Sequence, residues 1–155
     1  KKIGFITGHI SHEYYLPRFE GYLQAIKEET IPLDINLIKE TEGGNKEEDV
    51  NAFEKLFSLK ESPTAIFCAN DARALNILEY CHAKNIKVPE EIAICGIDNN
   101  SEARLSNPPL TTVDTHLEKV GQMAVKFIIE LMMERDFSNI KDILVEPELV
   151  IRGST

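Results

Sequence analysis

The chain of 155 residues is 43% hydrophobic and 28% charged, and both values are typical of one globular domain. Its formal net charge of −9 argues against a nucleic-acid-binding surface, because affinity for DNA rests on Lys and Arg side chains that neutralise phosphates. No apolar run approaches the roughly 18 residues of a membrane span, and nothing resembles a signal peptide. The sequence therefore predicts no membrane partner.

The three cysteines are an odd number and show no C-x-x-C spacing, so they predict neither a disulfide framework nor a metal site. Cys68, Cys81 and Cys95 all fall in apolar segments, where we expect small core side chains in a reducing compartment. This usage favours a cytoplasmic protein. Because the chain begins with Lys1 and enters a strand at once, we expect it to be a fragment of something longer.

The first half of the chain alternates strands and helices. Apolar patterning predicts a strand over residues 2–7, a helix over 16–29, a second strand over 33–39 and a helix over 51–60. Pro17 suits the first turn of the first of these helices, since its missing N–H is not needed there. An acidic run separates the second strand from the second helix, and we interpret it as a solvated loop and helix start: Glu40, Glu42, Glu47, Glu48 and Asp49.

The chain is organised around residues 63–99. Short apolar runs at 65–69 and 92–96 flank a helical stretch at 72–85, which predicts a βαβ unit with two buried parallel strands. Asn70 and Asp71 follow the first run, and Asp98 follows the second. Since the carboxyl ends of parallel strands meet at one edge of a sheet, these side chains should converge where open α/β sheets bind ligands.

The last third is predicted to contain an irregular loop (101–109), an extended segment (110–115) and a long helix (116–135). Residues 136–139 should break that helix, and 142–152 alternate like an edge strand kinked at Pro147. The fold class is therefore α/β, with a parallel, Rossmann-like sheet. The apolar stripe of helix 116–135 has no evident partner, so we expect it to fold back on the domain or to pair with another copy.

The candidate site residues each have a plain structural alternative. Arg18 is either a solvated side chain or a hydrogen-bond donor fork aimed into a cleft. Asp71 is more readily explained as a helix N-cap than as a ligand contact. Asp98, at a strand end with no helix predicted to begin there, is better explained by function. His9, His82 and His116 show no metal-ligand spacing.

The motifs PTAIFCAND, VPEEIAICGIDN, PPLTTV and the terminal L-V-I-R-x-S-T, with the opening IGFITG…R-F-E-G-Y-L-Q-A-I, resemble the LacI/GalR family of transcriptional regulators. The resemblance covers the whole chain, with the motifs in order. It implies a truncated type I periplasmic-binding-protein-like fold, in which two α/β lobes hold an effector between them. Residues 1–113 and 142–155 would form the C-terminal lobe, and 114–141 would belong to the otherwise missing N-terminal lobe. The DNA-binding domain would be absent.

The same resemblance implies an effector site. Arg18 and Asp98 match positions where family members hydrogen-bond sugars or purines, and Asn70 and Asp71 match the polar pair after the third strand. His12 lies at a family contact position, and Tyr14 and Tyr15 are the available aromatic side chains. Neutral polyols need paired acceptors, donor forks and an aromatic face, so we expect a small-molecule effector, most simply a sugar.

Four positions depart from the family pattern. Asn76 and Asn85 stand where many members have Gly, although Asn85 still permits a left-handed turn. Thr41 and Glu42 occupy a region where some members place an aromatic side chain against the effector.

The leading interpretation is therefore the ligand-sensing and dimerisation domain of a transcriptional repressor, with no cofactor and no enzymatic activity. Operator DNA would be bound by the absent N-terminal helix-turn-helix of a homodimer and not by this chain. The alternative is a solute-binding protein of a sugar transport system with the same fold. An α/β enzyme using Asp98 is a third possibility, but no His or Lys stands in motif spacing with that carboxylate.

Overall fold

The computed structural model describes residues 2–134 and 142–155, and the sheet within these residues has six strands in the order β2-β1-β3-β4-β5-β6. Strands β1 to β5 pair in parallel, and β6 lies antiparallel to β5 at one edge. The strands are β1 (Ile3–Thr7), β2 (Ile38–Glu40), β3 (Ala65–Cys68), β4 (Ala93–Ile97), β5 (Thr111–Asp114) and β6 (Glu148–Val150). The helices are α1 (Leu16–Glu28), α2 (Lys46–Phe57), α3 (Asp71–Ala83), α4 (Ser101–Leu105) and α5 (Leu117–Glu134). The predicted α/β class with a parallel sheet is confirmed.

Helices cover both faces of the sheet, as a parallel sheet requires. On one face, Phe53 of α2 and Ile77 of α3 join Ile66 and Ile94 of the central strands in a fully buried cluster. On the other face, α1 packs through aromatic side chains. Phe5 of β1 stacks on Tyr22 of α1 at 5.1 Å and on Phe67 of β3 at 5.2 Å between ring centroids.

Two predicted boundaries in the first half are wrong. Residues 35–37 form a 3₁₀ turn instead of strand, because the Asp34 carboxylate accepts a hydrogen bond from the Asn36 N–H and closes a local turn. The second helix begins at Lys46, five residues earlier than predicted. The Asn45 side chain caps it by accepting from the Glu48 N–H at 3.0 Å.

Two boundaries in the second half also differ. The loop predicted over 101–109 contains the short helix α4, whose N-cap is Asn100. The terminal segment is strand only at Glu148–Val150, since pairing with β5 is limited to three residues on each strand. The predicted break at 136–139 lies outside the described residues.

Helix α5 is the most exposed element. Its apolar side chains Val125, Ile128, Ile129 and Met132 keep 51–69% of their surface accessible. The expectation that this helix folds back on the domain is wrong, and pairing with another copy stays a prediction. Of the helices in the described residues, none is both long and apolar enough to traverse a bilayer.

We predict that the 155-residue chain associates in a concentration-dependent way through α5, because about 25 cal/mol is gained for each Å² of apolar surface removed from water. Replacing Ile128 and Met132 together by Lys should shift sedimentation coefficients towards the monomer. Lys126→Gln on the same helix is the control and should leave association unchanged. A wild-type chain that stays monomeric at high concentration would contradict the prediction.

Candidate functional site

The carboxyl ends of β1, β3 and β4, with the loops that follow them, form an edge that we call the carboxyl rim. Arg18, in the first turn of α1, and Asp98, directly after β4, meet there. The Arg18 Nη2 atom lies 3.8 Å from Asp98 Oδ1, and the two side chains are 17% and 25% exposed. The predicted convergence of these two groups on one hollow is therefore observed.

The Arg18 guanidinium is held by the residue four positions before it. Its carbon lies 3.8 Å above the centre of the Tyr14 ring, and Nη1 donates to the Tyr14 carbonyl. The buried Nε–H has no acceptor among the described residues. A cation at a helix N-terminus opposes the helix dipole, so the adjacent Asp98 carboxylate is what stabilises it. The Nη2 group faces the Asp98 carboxylate at 3.8 Å, beyond hydrogen-bond distance.

Asp98 adopts an unusual backbone conformation, with φ at 119°, and Asn99 follows at 54°. The Asp98 N–H donates to the Val113 carbonyl at 2.9 Å, which fixes this turn to β5. Burial raises the pKa of the Asp98 carboxyl, the Arg18 charge opposes that rise, and the neighbouring Asp71 carboxylate adds to it. A desolvated carboxylate with a positive φ is costly, and such strain is common at binding sites.

Asp71 lies beneath the carboxyl rim and is fully buried. Its Oδ1 accepts from the Thr112 hydroxyl at 2.5 Å and its Oδ2 from the Asn100 N–H at 3.0 Å. Burial raises its pKa, and these two hydrogen bonds oppose the rise. A Cβ at position 96 would lie 2.3 Å from Asp71 Oδ1, so Gly96 is required for this approach. The interpretation of Asp71 as the N-cap is wrong: its oxygens hold β5 and the start of α4.

Asn70 is the actual N-cap of α3. Its side-chain oxygen accepts from the Arg73 N–H at 3.1 Å, while the residue remains partly exposed at the rim. The sequence alone did not distinguish the two residues, since Asn and Asp are comparably good N-caps. Asn100 likewise caps α4, so the premise that no helix begins near Asp98 is corrected. Neither cap involves the Asp98 side chain.

Three aromatic rings line the loop between β1 and α1. Tyr14 is 41% exposed, and its ring meets Tyr15 edge-on at 4.9 Å. The exposed His12 uses Nδ1 to accept from the Tyr14 N–H at 3.2 Å, and its ring lies 6.0 Å from Tyr15. His12 therefore shapes the loop that carries Tyr14. Burial raises the pKa of Tyr14, with Arg18 opposing and Asp98 adding to the rise.

Sequence reasoning missed a second charged pair at the rim. Asp49 of α2 and Arg73 of α3 are 0% and 3% exposed, and Arg73 Nη1 lies 2.5 Å from Asp49 Oδ1. The interpretation of Asp49 as part of a solvated acidic run is therefore wrong. A usable signal was the single Arg that interrupts the small and apolar side of α3, between Asp71 and Ala74.

A polar cavity of about 530 Å³ opens beside Asp98. It lies between the carboxyl rim and the first turns of α5, and its walls include Asp98, Asn99, Asp114 and His116. The Asn99 amide donates to Asp114 Oδ2 at 2.9 Å, so the wall on the strand side is ordered by its own hydrogen bonds. The cavity is large enough for a small-molecule ligand.

The potential metal ligands and the cysteines of residues 2–134 and 142–155 bear on whether the site could hold a metal ion or a reactive thiol. These residues contain no group of three or more His, Cys, Asp or Glu side chains placed to hold a metal ion. Burial raises the pKa of Cys81 to about 12 and that of Cys95 to about 11, and it also raises that of the fully buried Cys68. All three thiols are free; Cys68 and Cys81 are buried, as expected for core side chains, whereas Cys95 is only partly buried.

Comparison with known proteins places this arrangement in a family. The model of the periplasmic binding protein-like domain matches residues 1–155. The HTH-type transcriptional repressor PurR of Vibrio atlanticus (strain LGP32) is 35% identical over 155 residues, which are 99% of this chain and 45% of that protein. The transcription regulator CcpA of Lactococcus lactis superposes with a TM-score of 0.87 at 28% identity, covering 100% of this chain and 56% of that one.

The transcriptional regulator CelR, solved as a cellobiose complex, superposes with a TM-score of 0.86 at 24% identity, over 99% of this chain and 46% of that one. This likeness concerns the fold. The chain spans about half the length of the regulators it matches. Because the model of the periplasmic binding protein-like domain matches residues 1–155, the chain belongs to that domain family, and its relatives include transcriptional regulators.

Proposed function

We propose that this chain is the C-terminal lobe of the ligand-sensing and dimerisation domain of a transcriptional repressor, and that its carboxyl rim binds a small neutral effector, a sugar. In this proposal residues 1–113 and 142–155 form the lobe, and 114–141 belong to the N-terminal lobe. The full-length protein is a cytoplasmic homodimer, and an N-terminal helix-turn-helix in the same polypeptide binds operator DNA. Ligand in the cleft favours one arrangement of the lobes and so changes operator affinity.

The observation that carries the proposal is the Arg18–Asp98 pair. Its separation of 3.8 Å exceeds a hydrogen-bond distance, so the two groups stabilise each other electrostatically while their polar atoms remain available to a third partner. A ligand hydroxyl that accepts from Arg18 and donates to Asp98 would fit between them. Carbohydrates offer such adjacent hydroxyl groups on a ring.

The surroundings favour an uncharged ligand. The Asp98 carboxylate already balances the positive charge of Arg18, and the Asp49 carboxylate balances that of Arg73. Glu40 and Glu42 add negative charge on the loop side, where the Glu40 carboxylate accepts from the Ile10 N–H at 3.0 Å. A phosphorylated ligand would need cations that this part of the site does not supply. Tyr14 and His12 offer ring surfaces for the C–H side of a sugar.

A solute-binding protein of a sugar transport system is the alternative, because it would share both the fold and the ligand chemistry. The relatives named as repressors or transcription regulators support the DNA-linked proposal instead. The two differ in one measurable property, which is a ligand-dependent affinity for DNA.

We predict that the full-length protein binds a sugar by calorimetry and that the same sugar changes its affinity for operator DNA. The screen should compare monosaccharides, disaccharides including cellobiose, purine bases and phosphorylated sugars. Sugar binding without any DNA affinity would favour the transport alternative. A full-length protein that responds to none of these ligands would contradict the effector part of the proposal.

Asp98→Asn and Arg18→Met should each weaken binding of that sugar by roughly tenfold to a hundredfold, because each removes a charge-assisted hydrogen bond. Glu20→Gln is a matched control, since Glu20 is an exposed carboxylate on the same helix as Arg18. Calorimetry on the three full-length variants measures the effect. Unchanged affinity in folded Asp98→Asn would exclude Asp98 as a contact.

Asp98 should also give a pH-dependent stability signature. Because its pKa is raised in the folded protein, its favourable contribution is complete below the unfolded pKa and is lost as pH rises through the folded value. The free energy of unfolding of Asp98→Asn, minus that of wild type, should therefore be larger at pH 7 than at pH 4. Urea denaturation at the two pH values tests this, and an equal difference at both would contradict it.

A further inference from the structure

The buried Asp49–Arg73 pair joins elements that are far apart in the chain. Arg73 Nη1 contacts Asp49 Oδ1 and also donates to the Thr41 hydroxyl. The second oxygen of Asp49 accepts from the Asn76 amide at 2.8 Å. The pair thereby ties α2 and α3 to the loop that follows β2.

The loop after β2 closes directly over the guanidinium. Gly44 has φ at 61°, and a Cβ built on it would lie 3.0 Å from Arg73 Nη2. Thr41 is itself buried, and its N–H donates to the Thr7 carbonyl at 2.9 Å. The buried pair therefore lies directly beneath the loop that follows β2.

Arg73 also reaches the aromatic loop of the candidate site. Its Nη2 atom is 3.4 Å from the Tyr15 hydroxyl, and its guanidinium carbon lies 5.6 Å from the centre of the Tyr15 ring. Burial alone would lower the pKa of Arg73, but the Tyr15 hydroxyl and the Asp49 carboxylate outweigh it and raise the pKa. The guanidinium thus stays charged and attracts both the hydroxyl and the ring face of Tyr15.

Tyr15 links the buried guanidinium of Arg73 to the partly exposed guanidinium of Arg18. It fills the space above Gly8, where an added Cβ would lie 2.2 Å from its ring. It supports Tyr14 edge-on at 4.9 Å, and the Tyr14 ring in turn carries the Arg18 guanidinium at 3.8 Å. A continuous series of contacts therefore runs from Arg73 to Arg18.

Stability alone is a poor explanation for the pair. Desolvating two charges costs several kcal/mol per ion, and well-packed apolar side chains of similar size often replace such pairs without loss. Arg73 Nε is also buried without an acceptor among the described residues. A group that is costly for folding and lies directly behind a candidate site is better explained by what it positions.

We propose that Arg73, held by Asp49, is a positioning residue that sets the orientation of Tyr15 and, through Tyr14, of Arg18, and so determines which effector the site accepts. Its effect on ligand choice rests on the proposed function. Its effect on the loop between β1 and α1 does not. The two parts can therefore fail separately.

The central test replaces both charges together, as Asp49→Asn with Arg73→Met in the full-length protein, so that neither is left buried alone. Hydrogen exchange of the amides in residues 9–16 should accelerate on the order of tenfold, because the loop loses its cationic anchor. Amides of β3 and β4 should exchange as in wild type. Unchanged exchange in residues 9–16 of the folded double variant would overturn the proposal.

A matched control is available on the same two helices. Lys46 of α2 and Glu79 of α3 form an exposed ion pair at 2.5 Å, so Glu79→Gln breaks a bridge between α2 and α3 without touching Arg73. It should leave exchange in residues 9–16 unchanged. If Glu79→Gln accelerates this loop as much as the double variant does, general loosening of α2 against α3 is the cause and the proposal fails.

Tyr15→Phe keeps the ring and removes only its hydroxyl, so it tests the link to Arg73 without disturbing the buried pair. Loop exchange should accelerate less than in the double variant, and combining the substitutions should add little. Full additivity of the two effects would place Arg73 and Tyr15 in separate interactions and would contradict the proposal.

The ligand arm uses D-glucose, cellobiose and adenine as probes, measured by calorimetry. The double variant should change the ratio of affinities among the probes that wild type binds, whereas Glu79→Gln should not. If wild type binds none of them, the specificity part of the proposal fails for these ligands, and the exchange result still decides whether Arg73 positions the loop. Altered exchange with unaltered affinity ratios would overturn the specificity part alone.

Discussion

The approach of Asp71 to the backbone of β4 is the contact on which the rim depends. Its carboxylate lies where a side chain at position 96 would be, and it bonds to the Thr112 hydroxyl and the Asn100 N–H. This arrangement fixes the start of α3, strand β5 and the turn after β4 relative to one another. Because that turn carries Asp98 at a positive φ, the position of the candidate ligand carboxylate follows from Asp71. The Asp71 carboxylate is suited to fixing these elements because it accepts hydrogen bonds from two of them. Removing it would leave both donors without a partner, which is costly for buried groups.

The rim contains two pairs of opposite charge with different properties. Asp49 and Arg73 are in direct contact, almost fully buried and shared among several hydrogen bonds, so they have little capacity for a ligand. Arg18 and Asp98 are 3.8 Å apart and partly exposed, and Asp98 also lines a polar cavity. Electrostatic attraction is stronger where water is excluded, so the closed pair is the more rigid of the two. We regard the closed pair as support and the open pair as the site.

Helix α5 presents an apolar face that the described residues leave largely exposed. Its apolar side chains remain exposed although the segment is a regular helix of 18 residues. Helical periodicity specifies that such a face exists, but not which surface covers it. The relatives are about twice as long as this chain, and the proposed assignment of residues 114–141 to another lobe accounts for the exposed face.

The sequence by itself determined the alternation of strands and helices, the parallel sheet, and the meeting of Arg18 with Asp98. These follow from apolar periodicity and from the rule that parallel strands end at one edge, both of which depend on local pattern. It did not determine which of Asn70 and Asp71 caps α3, because the two are equivalent as caps and only the position of Gly96 and Thr112 draws Asp71 inward. The sequence pattern also predicted a solvated Asp49, because its partner Arg73 is 24 residues away along the chain. Only the tertiary structure decides which charges are buried together, because the energy of a charge depends on groups that the fold brings near it.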